Sequence, residues 1–183
     1  MKTLTIIPSR LSATRLPGKP LLKINNLSII SHVFKRAQEA NIGDVIVAAE
    51  DQEIVDDVIK NGGRAILTGK NHKTGTDRVF EVANNLELKD EDIVINVQGD
   101  EPFTDPEDIN NIFRAFFGSE ENTDTQIKNL LAHEMTTLYS AHETVSPKNN
   151  PNQVKIKVDE CISLDFSRKK RNFNYKKKEY FKQ

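Results

Sequence analysis

Apolar residues along the chain fall into four short runs, separated by segments in which they recur at helical spacing. The runs are Leu4 to Ile7, Asp44 to Ala49 (DVIVAA), Arg64 to Thr68 (RAILT) and Asp92 to Val97 (DIVINV), each of a length and β-branched content that predicts a buried strand. Between them lie four predicted helices. The first carries Ile30, Val33, Phe34 and Ala37 on one face, with Ser28 as its cap. Asp51 caps a second, which has Ile54, Val55, Val58 and Ile59 inside and is stopped by Gly62-Gly63. A third follows the loop from Gly69 to Gly75 and presents Val79, Val82, Ala83 and Leu86. Thr104 and Glu107 are spaced as a capping box for the fourth, which bears Ile109, Ile112, Phe113 and Phe116. Strand and helix alternating four times with short connections predict βαβ units on a parallel sheet. The expected fold class is therefore α/β, a Rossmann-like three-layer sandwich with a mostly parallel sheet.

Beyond Gly118 the pattern changes. Ser119 to Lys128 is polar and reads as an exposed loop, and Met135 to His142 as a strand. Val154, Ile156 and Val158 alternate with lysines; after a turn at Asp159-Glu160, Ile162, Leu164 and Phe166 alternate with Ser163 and Asp165. Two alternating runs about a short turn predict a C-terminal β-hairpin with one buried face.

At 183 residues the chain is long enough for a domain with a proper core. No apolar run approaches the length of a membrane span, and Met1-Lys2 leads directly into a strand, so the expectation is a cytoplasmic protein with no membrane contact. The single cysteine, Cys161, rules out an internal disulfide framework and a cysteine-based zinc site. A net charge of −1 conceals an asymmetry: Arg168 to Gln183 holds eight basic residues and one acidic residue, against 18 basic and 26 acidic in the rest. A basic tail can mean nucleic acid. However, Phe173, Tyr175, Tyr180 and Phe181 lie within it, as in a segment that packs onto something, and no nucleic-acid partner is expected.

Candidate chemistry collects at the ends of the predicted strands. Directly after the first, Arg10, Arg15 and Lys19 sit on a segment punctuated by Pro8, Pro17, Gly18 and Pro20, which fix it as a loop. Open α/β sheets bind ligands at the carboxyl ends of their strands, and three cations there suit a triphosphate. Loop cations are also commonly just solvated. Neither the phosphate-loop pattern nor the dinucleotide pattern G-x-G-x-x-G is present, so side-chain charge would do what backbone amides do in those loops. Asp100 and Glu101 end the fourth strand on the same edge. A carboxylate there suits Mg²⁺, which takes one or two carboxylates plus substrate phosphates; alternatively Asp100 only forms a turn before Pro102. In the third strand-end loop, His72 to Arg78, Thr76 is either a nucleotide contact or the helix cap.

Five segments carry a family resemblance: IIPSRLSATRLPGKPL at 6–21, HKTGTDR at 72–78, VINVQGDEP at 94–102, NPNQVKIKVD at 150–159 and DFSR at 165–168. In order and spacing the chain resembles the sugar-acid cytidylyltransferases of the nucleotidyltransferase type, and among them the 3-deoxy-manno-octulosonate cytidylyltransferases (CMP-Kdo synthetases). The resemblance implies that CTP and Mg²⁺ bind, that the 2-hydroxyl of the sugar acid Kdo attacks the α-phosphate, and that pyrophosphate leaves. The product is CMP-Kdo for lipopolysaccharide biosynthesis. By matched position, Arg10, Arg15 and Lys19 hold the triphosphate, with Arg10, Lys19 and Asp100 as the catalytic set and Asp100 as the metal ligand. Thr76, Arg78 and Gln98 fix the nucleotide, and Arg168 is a candidate for the sugar carboxylate.

Several positions depart from the family pattern. Ser9 and Ala13 stand where the family shows Ala and Ser, Thr74 replaces a Ser, Asp165 an aromatic residue, and Glu50 the Asp that ends the second strand. Family members also continue past this chain's end into a Gly-Val-Asp segment that supplies a second metal carboxylate. The expectation is therefore a C-terminal truncation, with 1–168 as the CTP-binding domain and 169–183 as a basic aromatic stump. A homodimer is expected if the missing part were present. The alternatives are a truncated, non-catalytic CTP-binding fragment and a synthetase for another CMP-activated sugar acid.

Overall fold

Thr3–Ser9 form β1, the strand about which the first part of the molecule is laid out. In this computed structural model, which describes residues 1–12, 16–117, 140–141, 154–159, 162–167 and 180–182, the chain divides into two compact units, Met1–Glu121 and Asn122–Gln183. The boundary expected at 168, drawn on motif matches, lies inside the second unit.

After β1 and its loop comes a 3-10 turn at Lys19–Leu21. A two-rung ribbon follows, β2 (Lys23–Ile24) against β3 (Leu27–Ser28). Its turn residues Asn25 and Asn26 have φ of 48° and 67°, the left-handed pair that a tight hairpin requires and asparagine tolerates. The alternation then runs α1 (Ile29–Glu39), β4 (Asp44–Ala49), α2 (Gln52–Lys60), β5 (Ala65–Leu67), α3 (Gly75–Asn85), β6 (Ile93–Asn96) and α4 (Pro106–Phe117).

The four longer strands form one sheet in the order β5-β4-β1-β6, with every neighbouring pair parallel. The chain steps outward from β1 through β4 to β5, then returns to the other side of β1 for β6. This is the reversal of strand order at which α/β sheets open a ligand crevice.

Period-two alternation sorts the strand side chains to two faces. Ile7, Val45, Val47, Ala49, Ile95 and Val97 pack with Ile30, Val33 and Phe34 of α1, Ile54 and Val58 of α2, and Ile109 of α4. Leu4, Ile6, Ile46 and Ala48 meet Val79 and Val82 of α3 on the other face. At β1 and β4 both faces are thus covered, which is why these two strands read as continuous apolar runs rather than alternating ones; Leu67 of β5 and Val94 of β6 are exposed. The expected α/β three-layer arrangement is present.

Helix ends match the sequence reading in part. The Ser28 hydroxyl accepts from the Ser31 amide and caps α1. Gly62, at φ 83°, closes α2: its amide donates to Ile59 O and that of Gly63 to Val58 O, a Schellman ending that needs a left-handed residue. Three caps differ from expectation: Asp51 makes no side-chain bond to α2, and those of α3 and α4 fall on other residues. Thr74, not Thr76, caps α3, in a reciprocal box with Asp77. At α4, Asp105 Oδ1 accepts from the Glu107 amide, while the Thr104 hydroxyl donates to Glu101 O and Glu107 pairs with Arg114. Pro106 occupies the first helical position, where its missing N–H costs nothing and moves the cap one residue past Thr104.

The second unit holds a sheet of β7 (Ser140–Ala141), β8 (Val154–Asp159), β9 (Ile162–Ser167) and β10 (Tyr180–Lys182), in the order β7-β10-β8-β9. Strands β8 and β9 run antiparallel with Ile156 opposite Phe166, and β10 is antiparallel to β7 and β8. The turn containing Cys161, the loop expected over 119–128 and the remainder of the tail lie outside the described residues.

Candidate nucleotide site

The carboxyl ends of β1, β4, β5 and β6 deliver four connections to one edge of the parallel sheet. Two of them are drawn tightly together: a Cβ at Gly99 would stand 2.6 Å from Pro8 O. Glycine there lets the segment after β6 lie directly on the end of β1.

That close approach faces the loop after β1 across to Asp100. Lys19 Nζ lies 3.0 Å from Asp100 Oδ2, and both groups are open to solvent, with side chains 32% and 58% exposed. Two sequence-predicted residues, 81 positions apart, are thereby brought into contact. Arg10 and Gln98 are exposed at the ends of β1 and β6. Arg15 and Arg168 lie outside the described residues. Among the described residues no cluster of three or more His, Cys, Asp or Glu side chains forms a cation site. A single accessible carboxylate fits a Mg²⁺ ion held mainly by substrate phosphate and water; of the residues expected at the site, Asp100 could supply it.

Arg78 stands differently from expectation. Its side chain is buried, with the residue 2% exposed, and its guanidinium is turned onto protein acceptors. Nη2 donates to Glu50 Oε2 at 2.5 Å, and Nη1 to Gly69 O at 3.1 Å and to the Thr68 hydroxyl. Thr68 Oγ1 in turn donates to Ala49 O at 2.9 Å. Arg78 therefore ties the start of α3 to the ends of β4 and β5, beneath the crevice. A buried guanidinium needs a charged partner and a full set of acceptors, and the departure noted at Glu50 supplies the charge.

The β5–α3 loop is held by a second carboxylate. Glu81 accepts from the Gly69 amide at 3.0 and 3.2 Å and contacts His72 Nε2. The His72 contact first, and the Gly69 amide with it, hold the Glu81 carboxyl below its usual range, against the opposing effect of burial. Asp77 is likewise lowered, chiefly by the Thr74 hydroxyl of the capping box. Thr76 is exposed on the first turn of α3 and free of a capping task.

Sequence reasoning read Asp51 only as a helix cap. It occupies the cap position of α2 but makes no side-chain bond to that helix; instead its Oδ2 accepts from the Leu11 amide at 2.8 Å. A capping Asp and a loop-anchoring Asp look the same in sequence.

A four-stranded parallel sheet with a cationic loop and a carboxylate meeting at the reversal of strand order defines an α/β protein with a candidate ligand crevice at that edge. The chain belongs to the cytidylyltransferase family, which matches residues 4–183. Within that family it is similar to the 3-deoxy-manno-octulosonate cytidylyltransferases of Fusobacterium nucleatum subsp. nucleatum and of Thioalkalivibrio sulfidiphilus. Identity with the first is 41%, over 92% of this chain and 64% of that protein. With the second it is 40%, over 88% of this chain and 61% of that protein. The chain thus spans rather less than two thirds of these relatives' length. It also superposes on the solved structure of CMP:2-keto-3-deoxy-manno-octonic acid synthetase complexed with CTP. The TM-score is 0.77 at 33% identity, covering all of this chain and 71% of that one.

Proposed function

We propose that the chain acts in transferring CMP from CTP to the sugar acid Kdo, releasing pyrophosphate and giving CMP-Kdo for lipopolysaccharide assembly in the cytoplasm. The observation that carries this reading is the meeting of Lys19 with Asp100 at the crevice where β1 and β6 diverge. The family membership and the named relatives support the choice of CTP and Kdo.

In this reading Arg10, Arg15 and Lys19 take the triphosphate. The bond that forms joins the Kdo 2-hydroxyl oxygen to the α-phosphorus, with the hydroxyl proton passing to solvent; the one that breaks joins that phosphorus to the bridging oxygen, so pyrophosphate departs with the electron pair. Phosphoryl transfer of this kind depends on alignment and charge neutralisation rather than on covalent work by the protein. The cations are suited to both, because they face charge that grows on the leaving group. Gln98 and Thr76 contact the nucleotide, Arg168 takes the sugar carboxylate, and Asp100 holds Mg²⁺, which supplies further charge neutralisation when bound. Arg78 acts indirectly, by setting the ends of β4 and β5.

Pyrophosphate release from CTP and Mg²⁺, with and without Kdo, tests the proposal in the parent and in Asp100→Ala. Kdo-dependent release that disappears in the variant is the expected result. CTP binding with no release in the parent would reduce the assignment to nucleotide binding, and release driven equally by another sugar acid would redirect it to that substrate.

A further inference from the structure

The turn that follows β4 is built onto the cationic loop that follows β1. Glu50 N donates to Ser9 O at 3.1 Å, and Leu11 N donates to Asp51 Oδ2 at 2.8 Å. The Ser12 hydroxyl stands 3.5 Å from Glu50 Oε1. Leu11 is also held from its other side: its carbonyl accepts from the Gly18 amide at 3.0 Å, and its side chain packs against the larger core cluster. One residue is therefore fixed through its amide, its carbonyl and its side chain. Arg10 precedes it directly, and Lys19 follows the Gly18 amide that closes on it.

We infer that Asp51 is a positioning residue for the cationic loop. Its carboxylate pins Leu11, Leu11 pins Gly18, and Arg10 and Lys19 are thereby presented at the crevice in a defined arrangement. The dipeptide Glu50-Asp51 is itself braced from below, where Arg78 grips Glu50 at 2.5 Å. Preorganised cations avoid reorganisation when a polyanion arrives, which is where such a loop gains its effect. This inference rests on the triphosphate reading of the loop.

Electrostatics gives the inference a distinctive sign. An anion near a triphosphate site repels the ligand, so removing the Asp51 charge alone favours CTP. A weaker CTP complex after Asp51 is changed therefore reports lost positioning, not lost charge.

The test compares Asp51→Ser with Asp51→Asn in the full chain. Because the Asp51 side chain makes no bond to α2, serine removes no existing cap, but it is too short to reach the Leu11 amide, whereas asparagine keeps both the reach and an acceptor oxygen. Expected for Asp51→Ser are an unfolding midpoint close to the parent's, faster hydrogen exchange at Leu11, and about tenfold weaker CTP binding by calorimetry, of the order of a mispositioned contact. Asp51→Asn should retain Leu11 protection and bind CTP at least as well as the parent. Parent-like exchange at Leu11 in a folded Asp51→Ser chain overturns the inference, as does parent-like CTP affinity. If the parent itself binds no CTP, the nucleotide reading fails; lost Leu11 protection in Asp51→Ser would still support the anchoring.

Discussion

Lys19 Nζ sits 3.0 Å from Asp100 Oδ2, joining the loop after β1 to the segment after β6 across the mouth of the crevice. Ion pairs this exposed contribute about 0–1 kcal/mol to folding, so the pair has little structural purpose. In the proposed function the pair sets a cation and a carboxylate side by side for phosphate and metal.

Lys19→Met and Asp100→Asn should accordingly leave urea-unfolding stability within about 1 kcal/mol of the parent. Both should reduce Kdo-dependent pyrophosphate release by about 10²–10³-fold, the usual effect of losing a group that stabilises transition-state charge. Chelating divalent cations should abolish release in the parent. A large stability loss with parent-like turnover would instead place the pair in the scaffold.

Thr74 caps α3, and Thr76 is left to the binding role proposed for it. The Thr74 hydroxyl accepts from the Asp77 amide while the Asp77 carboxylate accepts from the Thr74 amide. Thr74→Ala should cost about 1 kcal/mol in urea unfolding. Thr76→Ala should be neutral to stability and weaken CTP binding instead. Reversed results would assign the cap to Thr76.

Gly99 tests the close approach that frames the crevice. An added methyl would lie 2.6 Å from the Pro8 carbonyl oxygen and 3.3 Å from Ile30 Cδ1, and backbone cannot rotate aside as a side chain can. Gly99→Ala should lower stability by about 1–3 kcal/mol, as overpacking does, and should also weaken CTP binding by pushing Gln98 and Asp100 away from the β1 loop. Unchanged unfolding and binding would show that the two segments part freely.

Acid sensitivity follows from three carboxylates. Asp77, Glu81 and Asp92 are held below their ordinary values of 3.8, 4.5 and 3.8, Asp92 chiefly by the Lys89 and Lys2 amides. Groups lowered by folding contribute stability that is complete above the unfolded pKa and is lost as pH falls through the folded one. Unfolding midpoints should therefore be flat near neutrality and fall below about pH 4.5. Glu81→Gln, which removes the carboxylate bonded to Gly69 and His72, should show a shallower fall and approach the parent at low pH. Parallel curves would mean that Glu81 contributes nothing through its charge.

Much of this was legible in the chain itself. The four apolar runs became β1, β4, β5 and β6; at β1 and β4 the reason is that a strand covered on both faces needs apolar residues at nearly every position, and that demand is local. Helices α1 to α3 could be read from the spacing of Val33, Val58 and Val82 with their neighbours, and the α2 ending from Gly62-Gly63. The cationic loop was visible because prolines and Gly18 disfavour a long α-helix there, although Lys19–Leu21 take a 3-10 turn, and the motif order carried the family.

Tertiary structure alone decided what depends on partners distant in sequence. A carboxylate following a strand can cap the next helix or reach another loop; the packing of Leu11 against the core put its amide within reach of Asp51. An arginine at the start of a helix can face ligand or core, and the Glu50 carboxylate drew Arg78 inward. Lys19 and Asp100 met because the chain reverses its strand order beside β1, bringing residues 81 positions apart to one edge. Composition and periodicity determine which segments are buried, since burial of a strand or helix face is written in its own residues. Which way a charged side chain turns is set by the free energy of pairing with groups that only the assembled sheet brings near.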